Sequence, residues 1–251
     1  MPTPSVTAAT TAFVPHQSGP GVLITGPTCT ASFLRRLSRF SALVLLDGCE
    51  TLVHVPNSGR MRELLTPGRP CLLAVHPGPG RKTAHDLLMV DVEGRWVGVD
   101  ARLPSRLVAE ALAWGAFPPF RDYPGVRREV RYGASRLDFL LVGSATRCLV
   151  EVKNVNRVLG TRAVFPDAPT VRGVRHLQEL MAARRSGDQA AVVFIIQRDD
   201  AEALSPDEAN DPRFSRTLGQ AAAAGVALHA WRYRLGPEAI TLDQAVPVVV
   251  P

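Results

Sequence analysis

Lysine is almost absent from the sequence. Only Lys82 and Lys153 occur in its 251 residues, so the other 27 of the 29 basic residues are arginines. Arginine is a planar cation that stays protonated, whereas lysine is a compact cation whose pKa shifts readily. In a chain that otherwise uses arginine for positive charge, each lysine is therefore a candidate for a role that arginine cannot fill.

Paired cysteines and long hydrophobic runs are also lacking. The four cysteines, at positions 29, 49, 71 and 148, form no CxxC pair and have no histidine at zinc-ligand spacing, which predicts unpaired thiols in a reducing compartment. The chain does not open with a basic segment followed by an apolar run, so no signal peptide is expected. These absences together predict a cytoplasmic protein with no membrane partner.

The overall composition is that of a folded globular protein. Hydrophobic residues make up 46% and charged residues 21%, which excludes a largely disordered, collagen-like or coiled-coil chain. The net charge of +6 and the pI of about 9.7 favour nucleic acid or another polyanion as a partner. The alternative at this point is a mildly basic enzyme with a small substrate.

The pattern of short apolar runs divides the chain into three parts. Residues 1–32 contain no charged side chain and are rich in Thr, Pro, Ser and Gly, which predicts a flexible tail in which only residues 22–24 would pair. Residues 33–100 read as short strands with turns, which predicts a small barrel such as an OB-fold, with a five-stranded sandwich as the alternative. The predicted strands are 42–46, 51–55, 71–75, 86–92 and 96–99, with a helical piece at 61–65.

Residues 101–251 change to a mixed pattern that predicts an α/β domain. A first helix is expected to have a proline in its first turn and to end just before Gly115. Three strands, a helix, a strand, a helix and a strand follow. The predicted helices are 104–114, 174–184 and 214–224, and the predicted strands are 128–132, 137–142, 148–153, 191–196 and 227–232.

Two neighbouring predicted strands carry acidic residues inside apolar runs. Asp138 and Glu151 each lie between two apolar residues, and Lys153 follows Glu151 at a spacing of two. Side chains alternate along a strand, so Glu151 and Lys153 share a face. Because lone charges in apolar strands are costly to bury unless they are paired or metal-bound, these residues are candidate ligands and catalytic groups.

Such a constellation suits metal-dependent hydrolysis of phosphodiesters. Asp138 and Glu151 offer hard oxygen ligands for Mg²⁺ or Mn²⁺, and Lys153 could position a water or stabilise negative charge. Glu110 on the preceding helix is a candidate further ligand and catalytic acid, with Glu129 as its competitor. The alternative is a metal-free buried salt bridge, either Glu151 with Lys153 or Asp138 with Arg136.

Basic residues elsewhere are candidates for contact with phosphate groups. Residues 57–60 could form a phosphate-binding turn or an ordinary capped loop. Lys82 could contact DNA or be a solvated loop residue. The arginines near the first two strands could follow the DNA backbone or form a solvated face, and those at the start of the helix near 174 could hold a phosphate. The candidate DNA-binding residues are Arg60, Lys82, Arg128, Arg131, Arg136, Arg172 and Arg175.

Motifs along residues 33–251 resemble the sugar fermentation stimulation protein (SfsA) family. The most specific is the run Phe-Pro-Asp-Ala-Pro-Thr at 165–170, followed by Arg-Gly at 172–173 and His-Leu at 176–177. Other matching segments are 38–40, 54–61, 63–65, 67–68, 81–83, 104–112, 135–140 and 151–153. The chain departs from the family pattern at Ser105, where Asn is common, and at residues 154–156.

The resemblance implies an N-terminal OB-fold-like domain joined to a C-terminal PD-(D/E)xK nuclease-like α/β domain. It implies metal and catalytic roles for Asp138, Glu151 and Lys153, and the position of the usual helix acid for Glu110. It also implies DNA binding of low sequence specificity and a regulatory role in sugar (maltose) metabolism. The leading hypothesis is a metal-dependent nuclease acting on DNA. The rivals are a non-catalytic DNA-binding regulator built on a nuclease core and an enzyme acting on a small phosphorylated substrate.

Overall fold

The computed structural model describes residues 10–76, 78 and 81–250. Within them the chain forms seventeen strands and three α-helices. The helices are α1 (Leu103–Ala113), α2 (Val171–Arg185) and α3 (Pro212–Ala223). The strands are β1 (Ala12–Pro15), β2 (Gly21–Thr25), β3 (Thr28–Arg36), β4 (Ser41–Leu46), β5 (Cys49–His54), β6 (Pro70–Val75), β7 (His85–Val92), β8 (Arg95–Gly98), β9 (Gly125–Tyr132), β10 (Ser135–Val142), β11 (Arg147–Val155), β12 (Val158–Leu159), β13 (Arg162–Phe165), β14 (Gln189–Ile196), β15 (Ala203–Pro206), β16 (Ala227–Leu235) and β17 (Ala239–Val246).

Strands β3 to β7 form a small closed barrel, and β8 pairs with β7 outside the closed ring. Their order is β5-β4-β3-β6-β7-β8, and a parallel pairing of His54 with Asp86 joins β5 back to β7. Closure leaves no free edge between those two strands, which distinguishes the OB-fold from the sandwich alternative. The predicted β4–β5 hairpin is confirmed, because Asp47 and Gly48 both have positive φ and form a two-residue turn.

The second domain is a mixed sheet covered on both faces. Its order is β1-β2-β17-β16-β14-β11-β10-β9, with β11, β14 and β16 parallel at the centre. One face packs against α2 and α3, and the other against α1 and residues of the barrel. A separate small sheet, β12-β13-β15, lies beside it. The predicted helices and strands of this half all occur, whereas β12, β13, β15 and β17 were not predicted.

Strands in the predicted flexible tail extend beyond residues 22–24, the part that was expected to pair. Strands β1 and β2 pair with each other, and β2 pairs with β17 at the end of the chain. Val22, opposite Ile240, is fully buried. A segment without charge but with apolar residues at its centre is stabilised by a sheet edge that lies far away in the sequence. Residues 1–9, the rest of the predicted tail, lie outside the described residues.

The predicted helical piece at 61–65 is wrong. Met61 has a φ of 46°, and its carbonyl accepts hydrogen bonds from the amides of Leu64 and Leu65 in a single turn. With Gly59 before and Pro67 after, this segment is too short to propagate a helix. The barrel also begins at Thr28, five residues before the predicted start of its domain. None of the described helices is long and apolar enough to cross a membrane.

Candidate active site

Asp138 lies where β10 and β11 separate. The pairing of these two strands ends at Phe139 opposite Val150. Beyond that point the Asp138 carboxylate fills the gap, with Oδ2 accepting a hydrogen bond from the amide of Val152 at 2.7 Å. Ser105 on α1 donates to Oδ1 at 3.4 Å. The side chain is therefore fixed by both the neighbouring strand and the helix that covers the sheet.

Glu151 and Lys153 form a buried ion pair on β11. Lys153 Nζ donates to Glu151 Oε1 at 2.7 Å, and the two residues are 8% and 4% exposed, respectively. Oε1 also accepts a hydrogen bond from Nδ1 of His176, which is buried on α2. The other oxygen, Oε2, is buried and has no hydrogen-bond partner among the residues that the structure describes. The predicted shared face of Glu151 and Lys153 is therefore present in the structure.

The orientation of His176 is set by a second contact on its own helix. Arg172 Nε donates to His176 Nε2 at 3.3 Å. Since arginine can only donate, Nε2 must accept and Nδ1 must carry the proton that it gives to Glu151. The sequence indicates Arg172 as a candidate phosphate contact and His176 as part of a family motif. It does not reveal the chain of contacts from Arg172 through His176 and Glu151 to Lys153.

The two carboxylates differ in protonation behaviour. Burial and the charge of Glu151 raise the pKa of Asp138 to about 6, against the opposing effects of the Val152 amide and Lys153. Burial alone would also raise the pKa of Glu151, but Lys153 and His176 hold it below its ordinary value. Relative to ordinary carboxylates, the surroundings thus favour the ionised form of Glu151 and the protonated form of Asp138.

Asp138 and Glu151 fit a hard divalent cation in two respects. Both are oxygen ligands, and the unpartnered Oε2 of Glu151 is an acceptor that a cation would satisfy. A third acidic ligand is not brought in, because no group of three or more His, Cys, Asp and Glu side chains within the described ranges is placed to hold a metal. A site here would therefore complete its coordination with backbone carbonyl oxygens, water or substrate.

Glu110 is left outside this group, contrary to the prediction. Ser105 is the residue of α1 that contacts Asp138, and Glu110, five residues later, lies about 140° further around the helix. Its competitor Glu129 lies opposite Asp138 on β9, between the pairs Leu137–Val130 and Phe139–Arg128, and its charge contributes to the raised pKa of Asp138. Glu129 is half exposed and paired with Arg136 at 2.6 Å.

A cleft of about 1050 Å³ separates the barrel from the α/β domain in front of Lys153. Val152 and Lys153 line it, so Asp138 and Glu151 lie directly behind its wall. The remaining walls come from the barrel segments 36–39 and 57–62 and from residues 164–170 before α2. Six of its lining residues are basic and one, Asp167, is acidic. The cleft therefore presents positive charge beside the buried carboxylates.

The predicted DNA-binding residues fall in different places. Arg60 lines the cleft and is exposed. Arg172 and Arg175 are exposed on α2, whose first residue follows the cleft residue Thr170, and Arg175 donates to Ser135 at 3.1 Å. Lys82 is exposed in the loop before β7 and does not line the cleft.

The remaining predicted arginines lie on the edge strand and its neighbour. Arg131 and Arg136 are directly opposite each other on β9 and β10, and Arg128 lies 5.7 Å from the ring centre of Phe139. Arg136 pairs with Glu129, not with Asp138, so the second proposed metal-free salt bridge is absent from the described residues. The first, between Glu151 and Lys153, is present.

Arg36 was missed at the sequence level and shapes the cleft. Its guanidinium donates to the carbonyl oxygens of Asn57, Gly59 and Arg60, and to those of Ser38 and Arg39. It thereby joins the two barrel loops that border the cleft. No local sequence pattern reveals this role, because three of the five carbonyl groups come from residues more than twenty positions away.

Comparison with known proteins follows the same two-part division. Residues 34–99 match the model of the SfsA N-terminal OB domain, and residues 102–239 match the model of the sugar fermentation stimulation protein RE domain. The chain belongs to the sugar fermentation stimulation protein (SfsA) family. The expectation based on its motifs is thereby confirmed.

Members of the SfsA family match this chain over most of its length. A sugar fermentation stimulation protein homolog of Chloroflexus aurantiacus is 46% identical, over 94% of this chain and 88% of its own. One of Moorella thermoacetica is 47% identical, over 88% and 95%. The solved structure of Pyrococcus furiosus SfsA in complex with Ca²⁺ is 31% identical, with a TM-score of 0.83 over 90% of this chain and 97% of that one.

In this SfsA family member, buried polar contacts join the two domains, and two of the residues that make them, Asn154 and Asn156, also line the cleft. The amide of Gly98 on β8 donates to the carbonyl of Gln197 at 2.9 Å. Gln197 Nε2 donates to Asp100 O at 3.0 Å and Asn154 Oδ1 at 2.7 Å, and Asn156 Nδ2 donates to Gly98 O at 3.2 Å. Residues 154–156, where the chain departs from the family pattern, therefore form part of the domain interface and fix the strand that carries Lys153.

Proposed function

We propose that the protein binds DNA in the cleft and cleaves it at a divalent-metal site formed by Asp138 and Glu151. The observation that carries this proposal is the buried, unpartnered Oε2 of Glu151, next to Asp138 and behind a cleft lined by Lys153 and exposed arginines. A buried acceptor without a partner is costly, and a bound cation would remove that cost. With DNA as its substrate, the protein would act in the cytoplasm.

Asp138 and Glu151 would hold Mg²⁺ or Mn²⁺. When bound, the cation would polarise a phosphate oxygen and lower the pKa of a water molecule. The structure of Pyrococcus furiosus SfsA in complex with Ca²⁺ supports a hard divalent ion in this family. The two carboxylates alone leave room for water and substrate oxygen atoms as further ligands.

The residues of the chain have separate tasks in this proposal. His176 and Lys153 hold Glu151 through Oε1, so that Oε2 is directed to the cation. The amide of Val152 and the hydroxyl of Ser105 orient Asp138. Lys153 lines the cleft, and its ammonium group would stabilise negative charge on a phosphate that enters there. Exposed arginines of the cleft would position the backbone of the DNA.

A titration of Mg²⁺ and Mn²⁺ on linear, nicked and single-stranded DNA tests this proposal. We expect metal-dependent cleavage that is lost in Asp138→Asn and Lys153→Met, because these changes remove a ligand and a cation at the phosphate. Glu208→Gln is the matched control, since Glu208 is exposed and lies outside the cleft. Its activity should equal that of the unchanged protein.

A non-catalytic DNA-binding role is the second candidate. Two observations favour it. Glu151 Oε1 already accepts hydrogen bonds from Lys153 and His176, and the described part of the chain offers no third acidic ligand. In that case neither metal would produce cleavage, whereas DNA would still bind with an affinity that falls steeply with salt. This result would overturn the nuclease proposal and assign the carboxylates a structural role.

A further inference from the structure

An aromatic side chain is exposed at the rim of the cleft. Phe40 lies in the loop between β3 and β4 and is 49% exposed, and its neighbour Leu37, which lines the cleft, is 45% exposed. The ring of His54 on β5 lies beside Phe40, with 6.4 Å between centroids and 31° between planes. These rings form an apolar surface next to the entrance of a basic cleft.

The loop that carries Phe40 is held in place by hydrogen bonds. The carbonyl of Phe40 accepts from the amide of Val55 at 2.9 Å and contacts Nδ1 of His54 at 3.0 Å. Its amide donates to Ser38 Oγ at 3.2 Å, and the Ser38 and Ser41 hydroxyls are 2.7 Å apart. An exposed apolar ring on an ordered loop is prepared for contact, since little conformational entropy remains to be lost on binding.

Basic residues lie beside the Phe40 ring and extend from it into the cleft. Arg39 adjoins Phe40 in the sequence, and Arg60 and Arg62 lie on the facing loop of the barrel; all three are exposed and line the cleft. Lys153 lies on the wall formed by the α/β domain. Flat aromatic surface beside a basic groove is the combination by which proteins bind single-stranded nucleic acid, with bases stacked on rings and phosphates on the cations.

We propose that the cleft binds an unpaired DNA strand, with a base stacked on Phe40 and the backbone following Arg39, Arg60 and Arg62 toward Lys153. A base offers its face to a protein ring only when it is not stacked inside a duplex, so this surface selects a single strand or an unpaired end. The proposal rests on the proposed DNA-binding function and adds the form of the substrate and a stacking residue.

The test is a comparison of two probes by fluorescence anisotropy, with EDTA present to prevent cleavage. The probes are labelled oligothymidylate and a duplex of equal length, bound to the full chain at low salt. We expect Phe40→Ala to weaken binding of oligothymidylate by roughly 5- to 150-fold, the range found for loss of a base-stacking ring. Binding of the duplex should change by less than about twofold.

Two further variants separate stacking from other effects. Phe40→Tyr keeps the ring and should restore binding of oligothymidylate. Trp114→Ala removes an aromatic residue that is 48% exposed, at the far end of α1 from the cleft, and should leave both probes unaffected. Melting temperatures of all variants should agree with that of the unchanged protein, because Phe40 contributes little to any core.

Each alternative result has a distinct meaning. Equal weakening by Phe40→Ala and Trp114→Ala, or unchanged binding of oligothymidylate by Phe40→Ala, would overturn the stacking proposal and leave DNA binding intact. Preference of the unchanged protein for the duplex would overturn the selection of an unpaired strand. Failure of both probes to bind would overturn this proposal together with the proposed function.

Discussion

At the residue scale, burial and neighbouring charges give the two carboxylates of the site different pKa values. Glu151 is stabilised as an anion by Lys153 and His176, whereas Asp138 is buried beside another negative charge and has a pKa of about 6. The folded protein therefore favours protonated Asp138 relative to the unfolded chain, in which an ordinary Asp has a pKa near 4. The stability that comes from protonated Asp138 is fully present below about pH 4 and is lost as the pH rises through about 6.

Asp138→Asn should therefore stabilise the metal-free protein at pH 8. The amide removes the buried charge and its oxygen can still accept from Val152, so we expect a gain of about 2 kcal/mol in the free energy of unfolding, falling toward zero below about pH 4. Urea unfolding at pH 8 and pH 4 measures this, with Glu208→Gln as the control. A loss of stability at pH 8 would show that the Asp138 anion is favoured by the fold.

Removing His176 should lower the free energy of unfolding, because His176 stabilises the buried Glu151 anion. His176→Ala would leave the Glu151 anion with Lys153 alone, and we expect a loss of about 2–4 kcal/mol in the free energy of unfolding. His176→Asn places a donor close to the position of Nδ1 and should recover much of that loss. Urea unfolding compares the two variants. Equal stability of both would mean that the contact with Glu151 contributes little.

The charged residues of the site could be predicted from the sequence because they interrupt apolar strands. Asp138, Glu151 and Lys153 stand out in that way, and the strand period places the last two on one face. Ser105 and His176 lie in helices where polar residues are unremarkable, and they reach the site only through the packing of α1 and α2 on the sheet. Glu110 was misjudged because the rotation of a helix about its axis is not fixed by the type of residue alone.

At the element scale, the strands with strong apolar patterns and marked turns were predicted well. The β4–β5 hairpin and the central strands β11 and β14 have such patterns. Strand β17 was not predicted, and of β2 only residues 22–24 were expected to pair, because each of these strands gains stability from pairing with the other across more than two hundred residues. Their pairing is a property of the assembled sheet, which short-range patterns do not contain.

Gly21 offers a test of this pairing. A Cβ atom at Gly21 would lie 2.3 Å from the carbonyl oxygen of Ile240 on β17, whereas no atom in the described part of the chain lies within 4 Å of the corresponding position at Gly19. We expect Gly21→Ala to lower the free energy of unfolding by about 1–3 kcal/mol through overpacking, and Gly19→Ala to change it by less than about 0.5 kcal/mol. Urea unfolding of the two variants measures the difference. Similar values for both would indicate that β2 is not held against β17.

At the scale of the whole molecule, the net charge of the protein is +6, and the cleft is one of the places where positive charge collects. Six basic residues line it, yet Arg36 is occupied with backbone carbonyls and Arg157 with Asp207. The exposed arginines of the cleft, Arg39, Arg60 and Arg62, are placed to contact phosphate groups. Sequence counting predicted a polyanion partner but could not show which arginines are engaged within the protein.

Arg60→Ala should weaken DNA binding and make it less sensitive to salt. Loss of one phosphate contact is expected to reduce the slope of log affinity against log salt by about 0.7 for a single strand. Arg216→Ala on α3 is the control, because Arg216 is exposed but does not line the cleft. Anisotropy titrations over a series of salt concentrations measure both slopes. An equal change in the two variants would mean that binding responds to net charge and not to the cleft.

The path of the chain gives the barrel an unusual mechanical position. Strands β1 and β2 belong to the sheet of the α/β domain, the chain then forms the barrel, and it returns to the α/β domain at α1. The barrel is thus a domain inserted into the α/β domain, and it is connected to that domain at both ends, through the tethers 26–27 and 99–102. The barrel also shares a hydrophobic core with α1 and the central sheet, and the amide of Gly98 donates to Gln197, so packing and both tethers together hold the barrel beside the α/β domain. A protease that cuts one tether would leave the barrel attached to the α/β domain by the other.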